Sequence, residues 1–392
     1  ALSYNREERF NAALFQRAGE LGLLGVTVDP EYGGSGMDAT AACIVHEELS
    51  SSDPAFCLSY LAHSQLFVNN LARNASPEQC ARWLPAACSG EAIGGMGMSE
   101  PGTGTDVLAM RTSAKKHGDG GWVLNGSKMW ITNGCVDDET LGDMFLVYAR
   151  TAGPEVKASQ AVSLFMVEKG MAGFSLGQRI KEKCGMRASP TAEIVFEDVH
   201  LPPDNLIGTE GRATICMMRN LEIERVVLAA MAVGIARRSL EVMNTYASDR
   251  QAFGQPIAQF GQIQRHLAES YAEYMAGKTY LYQTANQLDL QSAGNRLDTD
   301  GVKLFCTTMG KNVADRAMQV QSGTLVQHRP ELGVLEISQI YLVQVLGGYG
   351  YIGDYVVERL WRDAKLLEIG GGTLESHQKN MTREMASFQR MP

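Results

Sequence analysis

The sequence predicts an α+β fold made of three successive parts, and three observations predict it. Apolar residues recur at helical spacing over roughly the first 90 positions. Short runs of β-branched and aromatic residues broken by Gly, Asp and Pro occupy the next 110. Long helical stripes fill the remainder. The expected organisation is an N-terminal helical domain over residues 1–95, a middle β-barrel or sandwich domain over 96–206, and a C-terminal helical bundle over 207–392. A chain of 392 residues exceeds what one core usually serves, so two or three packed domains fit its length.

In the first part Phe10, Leu14 and Leu21, then Leu66, Val68 and Leu71, repeat at three- and four-residue steps, with Asp38 and Ser76 as helix caps and Tyr32 to Gly36 (YGGSG) as a turn. In the second, WVLNG, KMWIT, MFLVYA, AVSLFMV and AEIVFEDV read as strands, and Gly-rich turns at that spacing favour a small closed or two-layered sheet. In the third, apolar stripes run through Leu221–Tyr246, Ile263–Leu288 and Val302–Val320, lengths suited to an antiparallel bundle.

Composition narrows the function. The apolar share of 45% and charged share of 20% are those of an ordinary globular protein. No apolar run approaches the roughly 18 residues of a spanning helix, and the N-terminal residues lack a signal pattern, so no membrane role is expected. A net charge of −9 with scattered basic residues argues against nucleic acid. The eight cysteines have no CxxC pairing, so neither a metal site nor a disulfide framework is expected and a reducing compartment is.

Two motifs carry the chemistry. Met96 to Asp106 (MGMSEPGTGTD) offers amides and hydroxyls suited to a phosphate or a ring edge, and Lys128 to Gly134 (KMWITNG) adds an aromatic and a hydroxyl about 30 residues later. Together they suggest a flat, phosphorylated cofactor. In this order they resemble the middle domain of the acyl-CoA dehydrogenases. The resemblance extends from about Leu21 to the C-terminus, through Leu58–Ser64, Arg73-Asn74, Ser99-Glu100-Pro101, Glu168–Met171, Gly185–Arg187 and Glu224-Arg225. It implies an acyl-CoA dehydrogenase-like fold whose last domain is a four-helix bundle.

The resemblance implies FAD, with Met96, Met98, Ser99, Gly104 and Thr105 around flavin and substrate, Trp130 against the ring and Thr132 near its N5, since ring packing and hydrogen bonds set a flavin's potential. It implies Arg250 and Phe253, within RQAFGQPIAQF, as contacts to a cofactor phosphate on a neighbouring subunit; guanidinium suits phosphate. Where the family has Gln after the last Phe of that segment, this chain has Gly261 followed by Gln262. It also implies cofactor contacts from Gln344, Gly347 and Gly348 and, near the C-terminus, from Thr373 and Glu375.

One departure is large. About 25 residues, Gln321 to Val345, stand between the helix ending at Val320 and LGGYGY, and the dipeptide Gln-Val occurs at 319–320 and again at 344–345. A tolerated surface excursion and a displacement of Gly347 and Gly348 from a partner's flavin are both open readings.

Oxidation of an acyl thioester between its α and β carbons needs a carboxylate to take the α-proton and hydrogen bonds on the thioester oxygen. Most of the family carries the base in a Glu-Gly-Thr near the C-terminus; the matching position here is Gly371. In the branch that acts on isovaleryl-CoA the base lies instead in the segment matching Leu221–Arg225, which makes Glu224 the expected base, with Glu222 and Glu368 as reserves. Arg225 is expected near substrate or its CoA, Gly370 at substrate, and Gly371 as an amide donor leaving room for a branched acyl group.

The expected activity is thus FAD-dependent α,β-dehydrogenation of a short branched acyl-CoA, isovaleryl-CoA favoured, with electrons passed to electron-transfer flavoprotein by a homotetramer (a dimer of dimers) in the bacterial cytoplasm or mitochondrial matrix. Alternatives are a same-fold flavin oxidase, desulfinase or monooxygenase, and a non-catalytic CoA- or flavin-binding homologue. The insertion, Gly261 and the short N-terminal region favour the last.

Overall fold

The computed structural model describes residues 1–292, 294, 296–321, 351, 353 and 355–386. Six helices open the chain: α1 (Leu2–Arg6), α2 (Ala12–Glu20), α3 (Ala39–Ser52), α4 (Pro54–Leu61), α5 (Asn70–Asn74) and α6 (Pro77–Ser89). Their starts are dictated locally. Asp38 accepts from the Ala41 amide, Asp53 from Phe56, and Ser76 forms a full capping box with Gln79. Between α4 and α5 the residues Ala62–Asn69 are π-helical, a widening that turns His63 and Asn70 toward the middle domain.

The middle region is one hydrogen-bonded path of strands, with β1 (Gly94–Gly97), β2 (Ser113–Lys116), β3 (Trp122–Thr132), β4 (Met144–Arg150), β5 (Val162–Glu168), β6 (Phe174–Arg179), β7 (Thr191–Leu201) and β8 (Leu206–Ile207). The order is β6-β7-β3-β2-β4-β5-β8, and β1 pairs in parallel with β4. Its two halves face each other across one core, where Leu124, Ile194 and Phe196 meet Phe145, Val147 and Phe165. WVLNG and KMWIT, which read as two runs, form a single strand. Gly126 sits between them at φ +136°, where β3 and β7 shift register, so the glycine makes a bulge rather than a break.

The last region is helical. The 37-residue α7 (Ala213–Asp249) starts eight positions ahead of its apolar stripe and packs against α3, α8 (Gly261–Gln287), α9 (Arg296–Gln321) and the helix Val356–Leu367. The helix Leu374–Met385 lies on α9. The central α7 segment Val226–Ala236 is buried throughout, because it is wrapped by helices on several sides rather than on one. Among the described residues no helix is long and apolar enough to cross a membrane.

Candidate functional site

The two motifs read from the sequence meet through a buried ion pair. Lys128, on β3, donates to Glu100 Oε1 at 2.9 Å and to the Met98 carbonyl at 3.1 Å, and the Met129 amide donates to the Ser99 carbonyl at 2.9 Å. Burial drives Lys128 down to about 8, against the pull of Glu100. Burial by itself would raise Glu100, but the Lys128 charge and hydrogen bonds from Arg111, Thr112 and Lys128 outweigh it and leave the carboxyl low. This staple fixes the Met96–Asp106 loop onto the strand beside it.

Beside the staple the strand exposes an aromatic side chain. Trp130 takes φ +60° at the second register shift of β3, a conformation that is costly for a bulky residue, and holds its indole 55% exposed. It is therefore no core aromatic. Thr132 is half-buried on the same strand, and buried Asn133 pins the strand end by donating to the carbonyls of Ser59 (2.9 Å) and Gly94 (3.1 Å). Met96, Met98 and Ser99 are half-buried, Gly104 and Thr105 exposed, and the space around Gly104 is open. An exposed indole, a nearby hydroxyl and an amide-rich loop suit a flat ring with a polar edge.

Glu224 lies on α7. It is 6% exposed, its Oε2 has no hydrogen-bond partner among the described residues, and burial lifts its carboxyl to about 7 against the opposing charges of Arg225 and Lys303. The loop reaches toward it through Asn70, whose amide meets Met96 Sδ at 3.7 Å and the Tyr148 hydroxyl at 3.2 Å, and that buried hydroxyl is within electrostatic reach of Glu224. Met96 and Met98 share a core with Met217 and Leu221 at the start of α7.

Gly371 touches the same carboxylate. A Cβ placed on it would be 3.4 Å from Glu224 Oε1 and 2.4 Å from Leu228 Cδ1, and its φ is +66°. Its amide makes no hydrogen bond among the described residues. An unpaired buried carboxylate with a raised pKa beside an unused amide has the chemistry to accept a proton next to a donor for a developing oxyanion.

The reserve carboxylates are otherwise engaged. Glu222 accepts from the Gly294 amide at 3.2 Å and faces a polar pocket lined by Arg73, Arg219 and Asn220. Glu368 pairs with Lys365 at 2.6 Å and Lys311 at 3.9 Å.

Arg225 is buried and ion-paired through Nε with Asp300 at 3.1 Å, and burial lowers its pKa against that partner. Gly370 is half-buried at the end of the preceding helix, where its amide bonds the Leu366 carbonyl. Thr373 caps the following helix by accepting from Ser376 N, and Glu375 is exposed in its first turn.

Arg250 and Phe253 are elsewhere. Arg250 follows Glu224 by 26 positions along α7, about 40 Å of helix, so the two cannot serve one pocket of one chain. Phe253 projects, 96% exposed at φ +50°, from the small hairpin that follows. Gln344, Gly347 and Gly348 lie outside the described residues, as does the insertion beyond Gln321.

Sequence reading missed Asp300, Lys303 and His377, which have no motif around them and meet only in the fold. It also missed a surface trio, His117, Asp119 and His200, in which Asp119 accepts from both imidazoles at 2.9 and 2.8 Å and so satisfies itself.

Family models for acyl-CoA dehydrogenase match the N-terminal domain at residues 1–91, the middle domain at 95–199 and the C-terminal domain at 214–341 and 336–386. The two C-terminal pieces overlap inside the interposed segment. A mitochondrial isovaleryl-CoA dehydrogenase of Oryza sativa subsp. japonica is 40% identical over 95% of this chain and 82% of its own length. Among solved structures, butyryl-CoA dehydrogenase from Megasphaera elsdenii superposes with a TM-score of 0.87 at 28% identity, covering 98% of this chain and 93% of that one. A structure described as the FAD complex of PigA reaches 0.85 at 25% identity, covering 97% and 92%.

Proposed function

The chain belongs to the acyl-CoA dehydrogenase family, an FAD-dependent group of oxidoreductases, and from that premise we propose that it oxidises a short branched acyl-CoA, isovaleryl-CoA first, with Glu224 as the base. The observation that carries the proposal is the unpaired, buried carboxylate of Glu224 set against Gly371.

The residues divide the work. Glu224 takes the α-proton, and a carboxyl held near 7 is matched to that transfer at neutral pH. The Gly371 amide donates to the thioester oxygen, where negative charge grows as the proton leaves. Met96, Met98, Ser99, Gly104, Thr105, Trp130 and Thr132 would hold FAD. FAD, when bound, supplies the acceptor for the hydride leaving the β carbon, so the products are the enoyl-CoA and reduced cofactor. Arg225, ion-paired to Asp300, keeps a fixed positive charge next to the base.

The absence of a side chain at 371 leaves that space to Glu224 and Leu228, and the branched acyl group is proposed from the family resemblance. Electron-transfer flavoprotein as acceptor and a homotetramer are proposed from the family resemblance, with compartments those of such enzymes, the bacterial cytoplasm or the mitochondrial matrix. Phe253, 96% exposed, supports a second copy completing the flavin site, with Arg250 on the cofactor phosphate and Thr373 and Glu375 at the cofactor's edge.

Anaerobic titration of the FAD-reconstituted protein with isovaleryl-CoA and butyryl-CoA tests this reading. Flavin absorbance bleaches with both and faster with the branched substrate. A protein that stays colourless after reconstitution, or a flavin that neither substrate reduces, sinks the proposal.

A further inference from the structure

Three glycines in a row, Gly370 to Gly372, form the turn that carries the Gly371 amide, and two of them have left-handed φ values of +66° and +98°. Glycine reaches that region freely but has no side chain to stay there, so the turn needs a hold from outside. Upstream the hold is ordinary: the Gly370 amide bonds the Leu366 carbonyl at 2.8 Å. Downstream it is not.

The Gly372 carbonyl accepts from two buried side chains, Lys303 Nζ and His377 Nε2, the latter at 3.0 Å. His377 is 1% exposed, and its other ring nitrogen, Nδ1, lies 2.5 Å from Asp300 Oδ1. Asp300 is fully buried and ion-pairs Arg225, the residue next to Glu224. Both ring nitrogens of His377 thus face oxygens that accept, one a carbonyl and one a carboxylate paired with a guanidinium.

We infer that His377, through contacts of both ring nitrogens, is a positioning residue that clamps the glycine turn to Asp300 and so aims the Gly371 amide at the thioester oxygen. Lys303 supplies the second donor to the same carbonyl, and Asp300 ties the clamp to the α7 segment that bears the base. One chain of contacts therefore sets both the proton acceptor and the oxyanion donor. This rests on the reading of Gly371 as that donor.

The test compares His377→Phe, which keeps a ring and loses both nitrogens, with His377→Gln, whose amide keeps two N–H groups. Flavin reduction by isovaleryl-CoA is measured per bound flavin, with Glu224→Gln alongside. The rate falls about tenfold in the Phe variant with KM within twofold of wild type, and the Gln variant recovers most of it. Hydrogen exchange of the 370–373 amides, measured without substrate, quickens in the Phe variant and returns toward wild type with Gln. A merely structural histidine would lower yield or flavin content and leave the rate per flavin unchanged.

An unchanged rate per flavin in His377→Phe, with reduction lost in Glu224→Gln, overturns the clamp alone. Retained reduction in Glu224→Gln overturns the reading beneath it. If His377→Phe does not fold, His377→Asn, too short to span both acceptors, answers the same question by the same two outcomes.

Discussion

The Glu224 carboxylate and the backbone of Gly371 occupy one small volume, with a Cβ at 371 only 3.4 Å from Glu224 Oε1 and 2.4 Å from Leu228 Cδ1. One carboxylate fits there. A side chain at 371 would compete with Glu224 for the same space, and Leu228 already closes the other direction.

Gly371→Ala should therefore be costly on two counts. A non-glycine residue at φ +66° costs about 1–2 kcal/mol, and the methyl must displace the end of Leu228. Flavin reduction by isovaleryl-CoA is expected to fall at least tenfold, with a melting temperature lowered by a few degrees. Stopped-flow spectroscopy and thermal denaturation read the two effects separately.

The base assignment fixes a pH profile. Glu224 acts ionised and its carboxyl is held near 7, so kcat/KM of the free enzyme rises as pH climbs through about 7 and levels above it. An activity already level from pH 5 upward would contradict a buried base.

Stability carries the same signature with the opposite sign. The folded carboxyl titrates above its unfolded value of 4.5, so the native state binds the extra proton between pH 4.5 and about 7 and loses stability as pH rises through that window. The penalty is absent below 4.5 and complete above 7, on the order of 3 kcal/mol. Glu224→Gln escapes it. The stability gap in favour of the variant should open from pH 4.5 to 7 and then hold constant, as urea denaturation at several pH values would show.

The Lys128–Glu100 staple is fully buried, so removing one partner strands the other. Lys128→Met alone should cost about 3–5 kcal/mol and lower FAD retention, while Lys128→Met with Glu100→Gln should recover much of the loss. Denaturation midpoints and flavin content after gel filtration decide it. Equal damage in the single and double variants would show that the pair is not the element holding the loop.

Trp130 offers a direct probe of the cofactor surface. Its indole is exposed on a strained backbone rather than packed in the core, so Trp130→Ala should weaken FAD binding about tenfold and leave stability of the flavin-free protein nearly unchanged. Isothermal titration of the flavin-free protein with FAD and its thermal denaturation measure both.

Much of this was legible in the sequence because it was periodic or local. Stripes at helical spacing gave α7, α8 and α9, and the caps at Asp38 and Ser76 fell where helix starts require them. MGMSEPGTGTD and KMWITNG announced a loop and strand, but not that Lys128 and Glu100 join them, since ion-pair partners 28 residues apart leave no pattern. Gly126 was legible as a glycine and not as a bulge, because bulge geometry depends on the partner strand β7. Glu224 could be named from the segment around it. What raises its pKa is burial, which exists only in the fold, and Asp300, Lys303 and His377 come from two helices that approach only when the chain is folded.

The central claim is that Glu224 removes the α-proton. Single-turnover reduction of the FAD-loaded protein by isovaleryl-CoA at pH 8, in Glu224→Gln and Glu222→Gln side by side, tests it most directly. Reduction in Glu224→Gln should be at least a thousandfold slower, with substrate still bound, and Glu222→Gln should keep a near wild-type rate. Rapid bleaching in Glu224→Gln, or its loss in Glu222→Gln alone, would contradict it.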